Sequence, residues 1–106
     1  MRRVHVIMRF DKRTAVPEQK LLIPSTNTVA TIMQRVRDRF LVDCKHVTKH
    51  TALFLFFSTD LAQRMFPVTA TLQDIFLEMG EPDVIVVDVA MENTFGSVSR
   101  TPYEQT

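Results

Sequence analysis

Residues 11–19 read DKRTAVPEQ, and what they can form decides how the rest of the chain connects. Before them, RVHVIMRF (3–10) puts Val4, Val6, Met8 and Phe10 on one side and His5, Ile7 and Arg9 on the other, the period of two of a half-buried strand. After them, KLLIP (20–24) is a second short strand, which Pro24 terminates because proline donates no ladder hydrogen bond. A crossover that returns a chain parallel to itself needs a dozen or more residues, usually a helix. Nine mostly polar residues with Pro17 among them supply only a turn, so the chain opens with an antiparallel hairpin.

From Thr28 to Phe40 the period changes. Val29, Ile32, Met33, Val36 and Phe40 fall on one helical face, while Arg35, Arg37, Asp38 and Arg39 lie mainly off it. Thr28, or Asn27 beside it, is placed to cap the first amides with a side-chain oxygen. A polar connection, CKHVTKHT (44–51), leads to ALFLFF (52–57), which has the length and aromatic content of a central strand buried on both faces. Residues 60–70 read as irregular. TLQDIFLEMG (71–80) spaces Leu72, Ile75, Phe76 and Met79 as a second, shorter helix that stops at Gly80, a left-handed terminator. DVIVVDVA (83–90) is a last, nearly continuous apolar strand inside the sheet.

Strand, strand, helix, strand, helix, strand predicts an α+β fold: a mixed four-stranded sheet with two helices on one face, the β-grasp or ubiquitin-like roll. Residues 1–93 form that domain, and residues 94–106, polar and containing Pro102, read as a flexible C-terminal tail carrying Gly96.

The totals fit one folded domain. The chain has 106 residues, 45% hydrophobic and 24% charged, within the ordinary range of soluble globular proteins. A net charge of +1 gives no field that argues for nucleic acid or an anionic membrane. A single cysteine, Cys44, excludes an internal disulfide and fits a reducing, cytoplasmic compartment. No secretory core opens the chain, and no apolar run approaches the roughly 18 residues of a membrane span.

The chemistry-bearing residues do not assemble into a catalytic or metal pattern. His46 and His50 stand four apart in a connecting loop without acidic or thiolate partners at zinc spacing, and Cys44 lacks a neighbouring base. Glu78 and Glu81 flank a helix end, and two glycines in all leave no phosphate-cradling loop. The expectation is a protein that is not an enzyme and has no cofactor or metal. Arg35, Arg37 and Arg39, with Lys45, Lys49, Arg2 and Arg3, are the material for a basic patch, but alternate helical positions turn by about 200° per pair and disperse the charge. Phe95-Gly96 after the last strand is different: glycine passes through narrow protease and adenylate clefts without a side chain to clash.

With this order of elements and ENTFG (92–96) after the last strand, the chain resembles the ubiquitin-like modifiers of autophagy over residues 3–96. RRVHVIMRF, QKLL, TNTVATIMQRVRDRFL, LFLFF, LQDIFLEMG and IVVDVAMENTFG follow the strands and helices of the autophagy-related protein 12 branch in order. The sister branch, autophagy-related protein 8, is similar in KLLIPSTNTV and in having residues after TFG. Lack of the two additional leading helices of that branch favours the first; the ten residues after Gly96 favour the second.

The resemblance implies that Gly96 is joined by an isopeptide bond to a lysine of autophagy-related protein 5, after activating and conjugating enzymes have acted. Phe95 would guide the terminus, and either a processing protease first removes the residues beyond Gly96 or the modifier is not coupled as written. The alternatives are a lipid-coupled adaptor of the sister branch that binds short peptide motifs, and a β-grasp interaction domain that docks partners without covalent chemistry. It further implies cytoplasmic localisation with recruitment to pre-autophagosomal membranes, and partner binding at Lys20, Leu21, Ile23 and Arg37. Strand two is an edge in such a sheet, able to accept a partner's extended segment. Because residues alternate between faces, at least one of Leu21 and Ile23 is expected in the core. Arg35 stands where the sister branch has an apolar pocket residue. The longer VDCKHVTKHTA (42–52) and the unusual STDLAQRMFPV (58–68) depart from the family pattern.

Overall fold

The computed structural model describes residues 2–93. The tail expected over 94–106, with Phe95 and Gly96, lies outside the described residues. Strands β1 (Arg3–Phe10) and β2 (Gln19–Pro24) form the antiparallel hairpin that the short connection requires, in register from Arg3↔Pro24 to Met8↔Gln19. The connection itself holds one 3-10 turn, Lys12–Thr14, ended by Ala15 at φ 58°. Helix α1 (Val29–Arg39) follows, then β3 (Thr51–Ser58), β4 (Gln63–Arg64), α2 (Leu72–Glu78) and β5 (Ile85–Asn93).

The fold is α+β, with a mixed sheet in the order β2-β1-β5-β3-β4 and two helices. β5 runs parallel to β1 and antiparallel to β3, so the last strand lies in the middle of the sheet. The sheet has five strands, not four. The fifth, β4, falls in the stretch read as irregular, and its two residues, pairing Arg64 with Phe57 and Gln63 with Ser58, are too short to show any period.

Both helices start where threonines permit. Thr28 Oγ1 accepts the Thr31 amide, and Thr71 forms a reciprocal capping box with Asp74, a pattern worth about 1 kcal/mol per cap. The two starts are laced together: Val29 N–H donates to Ala70 O, Leu72 N–H to Asn27 O, and Gln73 N–H to the carbonyl of buried Ser25. α2 stops as its sequence requires, at Gly80 with φ +83°, and Glu81 is also left-handed at φ 54°.

Val29, Ile32 and Val36 of α1 and Leu72 and Ile75 of α2 pack on one face of the sheet, against Val4, Val6, Met8, Leu53, Phe57 and Val87. Each such side chain contributes about 1.5–3 kcal/mol on full burial. Neither β3 nor β5 is buried on both faces, contrary to their apolar runs. Along β3, Thr51, Leu53, Leu55 and Phe57 are buried while Ala52, Phe54, Phe56 and Ser58 are half-buried, and Val86 and Ala90 of β5 lie on the same outer side. Phe54 stands opposite Ala90 and Ser58 opposite Val86 on this outer face, so apolar residues on both faces of β3 and β5 give the near-continuous runs read from the sequence.

Candidate functional site

The sheet ends at β2, whose far side pairs with no strand among the described residues. Ser25 N–H donates to Arg2 O at 2.9 Å, and antiparallel pairing alternates. Ile23 and Leu21 therefore spend their backbone groups on β1, while Lys20 and Leu22 turn theirs to the open edge. Pro24 has the same phase as Leu22, so its missing N–H would face outward and the ladder loses nothing; the strand ends because the chain turns at Ser25.

Two depressions flank this edge, one on each face. On the helix side a cavity of about 190 Å³ is floored by Leu21, Ile23, Ile32, Val36 and Phe40, with Arg35 and Arg39 lining its α1 wall. On the outer side a shallower hollow of about 480 Å³ is lined by Ile7, Leu22 and Val84, with His5 and Lys20 beside them. Leu22 is 52% exposed. Every ionisable residue lining either depression is basic. A strand added to β2 would alternate its side chains between the two hollows.

Lys20, Leu21 and Ile23 thus come together at the edge, with a corrected geometry. Leu21 and Ile23 are two residues apart and share the helix-facing side, Ile23 buried in the core and Leu21 half-buried; it is Lys20 and Leu22 that face the other way. Arg37 does not join them. Its guanidinium donates to the carbonyls of Thr51 and, at 3.5 Å, Thr48, which ties α1 to the start of β3. Phe95 and Gly96 lie outside the described residues. Leu22, Arg39, His5 and Val84 are the residues that sequence reasoning missed; the i, i+4 spacing of Arg35 and Arg39 and the Lys20/Leu22 alternation were the available signals.

The basic residues weighed as patch material lie apart. Arg2 lies over the Phe76 ring at 5.0 Å from its centroid, at the start of β1, whereas the loop bearing Lys45 and Lys49 meets the opposite end, where the Cys44 thiol donates to Thr14 O at 3.4 Å. Among the described residues, no three His, Cys, Asp or Glu side chains converge as a metal site. No described helix is long and apolar enough to cross a membrane.

Two ion pairs brace the strands around the site. Arg9 grips Asp88 through two bonds, 2.7 and 3.0 Å, across the parallel β1/β5 pair, and that contact raises the guanidinium's proton affinity. At the hairpin turn, side-chain hydrogen bonds from Arg13 hold the Asp11 carboxyl below its usual range, helped by the Arg13 backbone amide. No protein-family model matches the chain, and no curated protein matches it at a significant level.

Proposed function

We infer that the protein is a ubiquitin-like modifier with a β-grasp body, working in autophagy by coupling through Gly96 once residues 97–106 have been removed. The acceptor is a lysine of autophagy-related protein 5, and dedicated activating and conjugating enzymes carry the acyl group; the body itself performs no catalysis. One observation carries the reading: the hairpin pairs through β1 with a parallel β5 at the centre of the sheet, and β5 ends at Asn93, three residues before Gly96 in the sequence. Glycine at that point suits an acyl donor, because it meets narrow active sites without a side chain. Incubating the full chain in cytosolic extract and weighing the products tests it. A species ending at Gly96 is expected, and an intact chain alone contradicts the processing step.

The paired hollows favour a second reading of the same fold, a lipid-coupled adaptor of the autophagy-related protein 8 type that binds short aromatic-aliphatic segments along β2. Arg35 on the inner wall departs from the apolar pocket of that branch. Capture of such a peptide, lost on changing Leu22 to Asp, supports the adaptor; equal capture by wild type and L22D contradicts it.

A further inference from the structure

The parallel contact between β1 and β5 ends at Phe10↔Val89, where β1 turns away at Asp11. β5 runs on to Asn93 beside β3, up to Thr51↔Asn93, with no strand paired on its other side among the described residues. On the vacated side, the Arg13 guanidinium takes the place of a strand. Its Nη2 donates to Met91 O at 3.3 Å, while Nε and Nη2 bond the two Asp11 carboxylate oxygens at 3.0 Å each. The Arg13 backbone N–H adds a bond of 2.8 Å to Asp11 Oδ1. A planar fork held at two points by a carboxylate has a fixed direction, so the second Nη2 hydrogen is aimed at Met91 O rather than free to rotate.

The geometry points to Arg13, oriented by Asp11, as the positioning residue for the end of β5: it holds Met91 on the side where no strand pairs among the described residues, and so fixes the last stretch of backbone before the segment that carries Gly96 in the sequence. A role for the clamp in coupling rests on the reading above; the clamp on Met91 does not. The groups facing Asp11 are Arg13 from its own turn and His46 from the connection between α1 and β3.

Amide hydrogen exchange on the full chain tests the clamp. Arg13→Ala and Asp11→Asn should each lower the protection factors of Met91 and Glu92 about tenfold, leaving β2 amides unchanged. In the wild type those factors should fall as acid protonates Asp11, with a flat profile in D11N, which a packing role alone would not produce. Unchanged protection in R13A, or the same acid profile in D11N, overturns the clamp. In cells, the coupled form of R13A should drop about tenfold; loosened exchange with undiminished coupling overturns the positioning role. If the wild type itself shows no coupled form, the coupling reading falls and exchange alone decides the clamp.

Discussion

The two edges of the sheet are built in opposite ways. β4 has two residues, and Arg64 closes it: Nη1 reaches Glu78 of α2 at 3.2 Å, and the guanidinium lies 4.9 Å from the centroid of Phe66. Phe66 in turn stands edge-on to Phe57, centroids 5.7 Å apart, so this edge is tied directly into the core. β2 has six residues, keeps the backbone groups of Lys20 and Leu22 turned outward, and has a hollow on either face. An edge that is short and pinned resists pairing with another chain; one that is long and uncovered invites it. On the proposed reading, recognition belongs to the β2 side; the β4 side is closed by its own contacts.

Removing the Phe57 ring is the most damaging way to break that contrast, because it is fully buried and supports both β4 and Phe66. Phe57→Ala should cost about 3–5 kcal/mol in urea unfolding. A loss below about 1 kcal/mol would mean that the closed edge is not anchored in the core. Leu22→Asp sharpens the contrast from the other side: peptide affinity measured by titration should fall tenfold or more, about 1.4 kcal/mol, with an unchanged unfolding midpoint. A matching drop in stability would make Leu22 a structural residue instead.

A smaller effect belongs to Glu78→Gln. The ion pair with Arg64 is exposed, with side chains 46% and 59% accessible, so its loss should cost less than about 1 kcal/mol and shrink further in high salt. The smallest concerns Asp11. Its carboxyl titrates below the usual 3.8, so the stabilisation is complete above that value and disappears as pH falls through the lowered one. Acid titration of unfolding should show D11N with a shallower loss than wild type below about pH 4. Parallel curves would remove Asp11 from the acid response.

Much of the architecture was legible because it rests on local rules. Nine residues with Pro17 allow only a hairpin, Thr28 caps the helix whose stripe begins at Val29, and Gly80 takes the left-handed conformation its position after Met79 suggests. What escaped depends on tertiary neighbours. β4 is a strand only because Phe57 and Ser58 pair with it, and the outer residues of β3 are half-buried rather than buried among the described residues. At the candidate site, the strand pattern of KLLIP located the edge, but nothing in the sequence told Arg37, spent on the Thr48 and Thr51 carbonyls, from Arg35 and Arg39, which line the hollow. The direction of a helical side chain is settled by what lies opposite it.

Coupling through Gly96 is the claim on which the function stands, and denaturing electrophoresis of the tagged protein from cells tests it most directly. The wild type should give a second band heavier by one protein partner, absent for Gly96→Ala. The same heavier band in both, or in neither, would contradict it.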